Sequence, residues 1–179
     1  MLYFGLGAFL VLGIIFFVYF NFSTARKIAF AKVSYQQGIT ALSNSDYASA
    51  QNYFASAARA DQKNSAYLWQ LAITQTKNVK YLDAIKSYTK LIQLLPGRSI
   101  IYIQRGSVNQ MAGNFEAAKE DFNEAVILDK HNVTAYLSLA SLLNTNGNKA
   151  EAMAVLNNGI LINPDNQLIT QAIAAYGNK

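Results

Sequence analysis

The chain contains no cysteine, so there is no disulfide or thiolate chemistry to argue from, and its redox compartment stays open. It has one histidine, His131, set between Lys130 and Asn132; with no partner group beside it, it reads as a solvated turn residue rather than a base or a ligand. No spacing of His, Cys and carboxylates suits a metal, and no glycine-rich phosphate loop is present. Charge is also sparse. Only 14% of the residues are charged, and the net +5 is too modest and too scattered to suggest nucleic-acid binding. The sequence thus points to no enzyme activity, no cofactor and no nucleic-acid partner.

What the chain has in excess is apolar surface, at 52% of 179 residues, high for a small soluble domain. Part of it lies in Leu2–Phe20, LYFGLGAFLVLGIIFFVYF, nineteen residues without a charge. As a helix this run would span about 28 Å, close to the roughly 30 Å hydrocarbon core of a bilayer. Tyr3, Tyr19 and Phe22 stand near its ends, as interfacial aromatics do. The rival reading is a cleaved signal peptide, with Ser23-Thr24-Ala25 as the small residues of a cleavage site. The lack of Lys or Arg before the run, and its length, favour an uncleaved anchor. Residues 1–22 are therefore expected to be a transmembrane anchor and residues 23–30 a basic juxtamembrane linker. Arg26, Lys27 and Lys32 follow the run, so the positive-inside rule places the remainder in the cytoplasm; the periplasmic side of a bacterial inner membrane is the alternative. Asn21–Phe30 has no Gly or Pro, so the apolar helix is expected to run on into the next segment with little interruption.

The rest of the chain repeats. Gly113–Asn132 reads as a turn, a helix and a helix stop, with Asn114 as an N-cap and Ala118, Phe122 and Ala125 on one face. The same grammar recurs at a fixed 34-residue step, giving windows 31–64, 65–98, 99–132 and 133–166. Each window splits into two helical patterns. Gly38, Ala72, Gly106 and Ala140 are small residues one period apart, and so are Ala50, Ala84, Ala118 and Ala152; such points let helices approach to about 8–10 Å. Phe54, Tyr88, Phe122 and Leu156 form a bulky row, and Tyr47, Tyr81 and Phe115 another. Asn64, Asn132 and Asn166 end three windows and are placed to cap the following helix. Gln167–Tyr176 begins a further helix, with Leu168, Ile169, Ile173 and Tyr176, that reads as a cap over the last window.

This pattern resembles the tetratricopeptide repeat family, with small residues at repeat positions 8, 20 and 27 and large ones at 4, 11, 17 and 24. The likeness covers residues 31–166. It implies an all-α, right-handed α-solenoid of four helix-turn-helix repeats with a C-terminal capping helix, here preceded by one transmembrane helix. The departures are local: Leu91 at an alanine position, Lys149 at an aromatic one, Gln62 and Lys130 for Pro, and Ser34, Gln75 and Asn109 where large apolar residues are usual.

The resemblance also implies where a partner would sit, since first helices line the concave groove in that family. Position 5 reads Tyr35, Trp69, Ile103 and Leu137; position 6 reads Gln36, Gln70, Gln104 and Ser138; position 9 reads Ile39, Ile73, Ser107 and Ser141. An apolar row beside a glutamine row fits a peptide or an amphipathic helix, because an amide offers both a donor and an acceptor. The alternative is that some of these side chains pack between neighbouring first helices or under the capping helix. Relatives that clamp chaperone carboxy-termini use cations at these positions. The two possible registers here read Tyr35, Ile39, Gln70, Ile100, Gln104 and Trp69, Ile73, Gln104, Thr134, Ser138, so no such clamp is expected. Lys86 and Lys90 stand one period before Glu120 and Glu124, which predicts a solvated ion-pair ladder between second helices; a partner-binding acidic patch is the alternative. The function these features predict is a membrane-anchored adaptor or assembly factor that binds a protein of a membrane complex. The alternative is a constitutive or self-associating subunit.

Overall fold

The computed structural model describes the backbone of residues 3–177 and the side chains of residues 22–177. Among the described residues there are nine helices and no strands: α1 (Tyr3–Ser43), α2 (Tyr47–Ala60), α3 (Ser65–Lys77), α4 (Tyr81–Leu94), α5 (Ser99–Met111), α6 (Phe115–Leu128), α7 (Val133–Thr145), α8 (Lys149–Ile162) and α9 (Gln167–Gly177). The starts of α3, α5 and α7 are 34 residues apart, as are those of α4, α6 and α8. The chain divides into two compact units, Met1–Tyr67 and Leu68–Lys179.

In the first unit α1 is a single helix, with no break at the expected linker, in keeping with the absence of Gly and Pro there. The expected membrane span, Leu2–Phe20, lies outside the residues whose side chains are described, and among the described residues no helix is long and apolar enough to cross a membrane. The C-terminal part of α1 packs on α2 through Ala31, Ala50, Phe54 and Ala57, all fully buried. Gly38 makes this approach possible: a Cβ there would stand 2.6 Å from Phe54 Cε1. Asp46 caps α2 by accepting the Ser49 N–H at 3.0 Å. The hydrogen bonds from Ser49 hold its carboxyl below the usual carboxylate range.

The second unit repeats this packing. Tyr88, Phe122 and Leu156 each fill the gap between a first and a second helix, and Ala84, Ala118 and Ala152 beside them are fully buried. Burying one such large side chain contributes about 1.5–3 kcal/mol. Gly106 repeats the role of Gly38, its missing Cβ lying 2.7 Å from Phe122 Cε1. Helix α9 covers the end of the last pair, with Ile169 fully buried and Ile173 and Tyr176 packed beside it, while Leu168 is exposed.

The connections follow their residues. Asn64, Asn132 and Asn166 cap as expected, their side-chain oxygens accepting from Ala66 (3.1 Å), Ala135 (3.3 Å) and Ile169 (3.1 Å). Asn114 stands at the N-cap of α6 but does not cap it; its amide reaches back to Asn109 Oδ1 at 3.4 Å. In the turns inside the helix pairs, Gly113 (φ 81°) and Gly147 (φ 84°) take the left-handed conformation, and Ser45 and Val79 take it at the same point with φ 59°. Phe115, expected as a bulky packing residue, is 45% exposed at the first turn of α6.

Candidate functional site

The candidate residues of the first unit lie on α1. Tyr35 is half-buried, its ring 5.6 Å from Phe54 and 5.1 Å from Tyr67, so it belongs to an aromatic cluster rather than standing free. Gln36 is exposed and lines an open cleft of about 410 Å³ with Gln37, Thr40 and Tyr53; Ile39 is half-buried.

In the second unit the three rows separate. The position-5 row is largely structural. Trp69 is half-buried, edge-on to Tyr88 at 6.1 Å. Ile103 corrects the expectation outright: it is 2% exposed, in one cluster with Leu139, Leu142 and Leu143 of α7, the neighbouring first helix. Leu137 is half-buried against the same cluster. The position-6 row keeps its accessible surface. Gln70, Gln104 and Ser138 are half-buried, and among the described residues neither glutamine amide makes a hydrogen bond within the chain. Ile73 and Ser107 are half-buried at position 9, with Ser107 donating to the Ile103 carbonyl at 2.9 Å, and Ser141 is exposed. The accessible strip is therefore made of amide, hydroxyl and isoleucine groups, with Lys77 exposed at the C-terminal end of α3.

A polar network in the second unit went unread in the sequence. Arg105 on α5 donates from Nε to both oxygens of Asp121 at 3.1 Å, from Nη2 to Oδ1 at 2.6 Å, and from Nη1 to Thr89 Oγ1 at 3.0 Å. Asn109 donates to Asp121 Oδ2 at 2.9 Å, so the carboxylate, 3% exposed, is fully engaged. One repeat earlier, Gln75 and Ser87 occupy the places of Asn109 and Asp121, joined by a 2.7 Å bond from Ser87 Oγ to Gln75 Oε1. One repeat later those places hold Leu143 and Val155. The signal was there: the departures at Gln75 and Asn109 each have a polar residue twelve places on.

The expected charge ladder does not form: among the described residues, neither Lys86–Glu120 nor Lys90–Glu124 pairs. Lys86 bonds Asp83 on its own helix at 3.5 Å, and Lys119 reaches Glu151 across α6 and α8 at 2.8 Å. That link joins positions 21 and 19 of successive repeats; on the preceding step the same diagonal holds Ile85 and Ala117, which carry no charge. The bond to Glu151 raises the Lys119 pKa. His131 is exposed, its backbone N–H donating to Asp129 Oδ1 at 3.1 Å. No group of three or more metal-capable side chains occurs among the described residues.

Paired helices at a 34-residue step, with a small residue and a bulky side chain buried at the same two places in each pair, define a helix-pair repeat protein. Comparison with known proteins gives the family. A family model described as Tetratricopeptide repeat matches residues 110–176, and a second so described matches residues 35–99. The chain carries tetratricopeptide repeats over both stretches. A curated relative, small glutamine-rich tetratricopeptide repeat-containing protein 2 of Mycosarcoma maydis, is 27% identical over 53% of this chain and 27% of its own length. A TPR repeat-containing protein of Methanocaldococcus jannaschii is 27% identical over 62% of this chain and 19% of its own. The chain thus spans about a quarter or less of these relatives. Among solved structures, the MamA protein aligns with TM-score 0.70 and 23% identity over 82% of this chain and 80% of that one. YrrB, a TPR protein with an unusual peptide-binding site, aligns with TM-score 0.66 and 21% identity over 79% and 73%. The first TPR of Spaghetti (RPAP3), bound to an HSP90 peptide, aligns with TM-score 0.60 and 19% identity over 67% and 95%. At these identities the likeness is one of fold.

Proposed function

We propose that the chain is a membrane-anchored, non-enzymatic interaction module that holds a peptide or helix of a membrane-complex protein on its first helices. The observation that carries this is the accessible strip of the second unit, where Gln70 and Gln104 offer amides without a partner among the described residues, beside Ile73. Amides at this spacing pair with the backbone of a bound segment, and the isoleucine takes its apolar side chains. Solved neighbours of the same fold include a TPR protein with a peptide-binding site and one bound to a peptide, which supports a protein ligand. The strip has no cation at the clamp positions, so an acidic carboxy-terminus is not the expected ligand. The anchor is the run Leu2–Phe20, and Arg26, Lys27 and Lys32 behind it put the repeats on the cytoplasmic side.

The test is affinity purification of the full chain from detergent-solubilised membranes, against a Gln70→Ala/Ile73→Ala/Gln104→Ala variant. Tyr35 and Ile103 are left unchanged because they are packing residues whose loss would destabilise the bait. A partner bound by the parent and lost with the variant supports the reading. The same assembly recovered by both sinks it.

A second reading, a self-associating subunit, is favoured by one feature. Ile127 and Leu161, one period apart at the ends of α6 and α8, are 66% and 80% exposed. A mass that rises with concentration in sedimentation, and stays monomeric for Ile127→Ser/Leu161→Ser, would support that reading.

A further inference from the structure

The first unit has a face that the partner strip does not use. Beyond the apolar run, α1 carries Phe22, Arg26 and Phe30 at four-residue steps, with Lys27 beside them. Phe22 and Phe30 are 64% and 57% exposed, and the Arg26 guanidinium lies 5.8 Å from the Phe22 ring. Next to this stripe is an open cleft of about 970 Å³ between α1 and the C-terminal end of α2, lined by Lys27, Ile28, Phe30, Arg59, Asp61 and Lys63, among others. Between Phe22 and Tyr67 the sequence has five cations, Arg26, Lys27, Lys32, Arg59 and Lys63, and two carboxylates, Asp46 and Asp61. Asp46 caps the opposite end of α2, so Asp61 alone offsets the positive charge around the cleft.

From this arrangement we infer that the α1–α2 cleft of the first unit is a docking face for anionic lipid headgroups. The inference rests on the membrane-anchored reading above. Lys27 stands seven residues past Phe20, where the apolar run ends. In a helix that is about 10 Å, at the outer edge of a headgroup layer about 5–8 Å thick on each side of the hydrocarbon core. Phe22, two residues past the run, suits the acyl boundary, while the cations that follow it meet phosphates. Arg59 and Lys63 come from the far side of the cleft, so two separate segments contribute charge to one surface. A polybasic face of this kind is attracted to a negative leaflet and released by salt. It would set how the first unit lies against the bilayer, which an anchoring helix alone does not fix.

The absence of native cysteine allows a direct test on the full chain reconstituted in vesicles. Gln62→Cys places a thiol in the cleft, and Asn157→Cys, at an exposed place on α8, serves as reference. Labelling by a water-soluble maleimide is compared between phosphatidylcholine vesicles and vesicles containing phosphatidylglycerol. Anionic lipid is expected to slow labelling at Gln62→Cys about five-fold and to leave the reference unchanged; added Lys27→Gln/Arg59→Gln/Lys63→Gln, or about 0.5 M salt, restores the fast rate. All three cations are exposed, so their replacement leaves the packing intact, and circular dichroism confirms it. Equal labelling in both lipids overturns the inference, as does protection that survives loss of the three cations. Protection that requires an added protein assigns the face to a protein partner and also overturns it. Alkaline extraction of native membranes separates the two readings. Release of the chain sinks the anchor alone. Flotation of the released chain with anionic but not neutral vesicles would still uphold the docking face, and flotation with neither would overturn it.

Discussion

The Arg105–Asn109–Asp121 network offers the sharpest check on how the second unit is held together. Asp121→Ala removes the acceptor of three hydrogen bonds from Arg105 and one from Asn109, leaving the guanidinium with Thr89 Oγ1. Breaking one side of a buried pair costs about 3–5 kcal/mol. The Arg105 side chain keeps 22% of its surface in water, so part of that cost is relieved by hydration. A loss of about 2–3 kcal/mol follows from that discount. The next repeat shows how the site is built without charge, with Leu139, Leu143 and Val155 in the three places. The triple change Arg105→Leu/Asn109→Leu/Asp121→Val should therefore fall within about 1 kcal/mol of the parent, since a packed apolar set replaces a buried ion pair at little cost. Urea unfolding of the full chain in mild detergent, followed by far-ultraviolet circular dichroism, reads both. Stacked repeats need not unfold in one step, so midpoints are compared rather than extrapolated energies. At slopes of about 1–3 kcal/mol per molar urea, Asp121→Ala should lower the midpoint by about 0.7–3 M. A triple variant as unstable as Asp121→Ala, or an Asp121→Ala variant indistinguishable from the parent, would refute the reasoning.

Three further expectations follow from single contacts. Gly106→Ala puts a Cβ 2.7 Å from the Phe122 ring and should cost about 1–3 kcal/mol by overpacking, with Phe122→Leu restoring most of it in the same urea assay, because Ala140 and Leu156 already form that pair one repeat later. Val79→Gly should stabilise by about 1 kcal/mol: a β-branched residue at φ 59° is strained, and with 65% of its surface exposed little packing is lost, so an unchanged or lower melting temperature would count against the strain. Burial pushes the Tyr88 hydroxyl up to about 12 from its ordinary 10. A raised folded pKa gives stability that is full below the unfolded value and lost as pH climbs through the folded one, so melting temperature should fall between about pH 10 and 12, and Tyr88→Phe should flatten that slope.

The helices were legible because their spacing depends on rows that repeat every 34 residues. Ala84, Ala118 and Ala152 must be small, and Tyr88, Phe122 and Leu156 must be large, whatever else the helices carry. The candidate partner face was less legible. Trp69 and Ile103 share a repeat position, yet one is half-buried against a ring and the other lies inside the core under α7. Repeat position fixes a direction from the helix axis, and the bulk of the next first helix decides whether that direction meets solvent. The glutamines were easier to place because an unpaired amide is costly to bury, and Gln70 and Gln104 keep access to water.

The same distinction explains why the charge ladder failed while the unforeseen polar pairs formed. Asn109 and Asp121, like Gln75 and Ser87, lie within one repeat, where a twelve-residue separation brings two helices of one hairpin face to face. Their geometry is set locally, and burial requires each polar group to find its partner. Lys86 and Glu120 belong to different repeats and are exposed, so nothing compels them to meet. Where an inter-repeat pair does close, at Lys119 and Glu151, it runs diagonally between different repeat positions. Equal spacing in sequence therefore identifies equivalent places in successive repeats but not contacts between them. For the exposed cations of the first unit, no protein carboxylate closes on Arg26, Lys27, Arg59 or Lys63 among the described residues, which leaves these charges available to an external anionic surface.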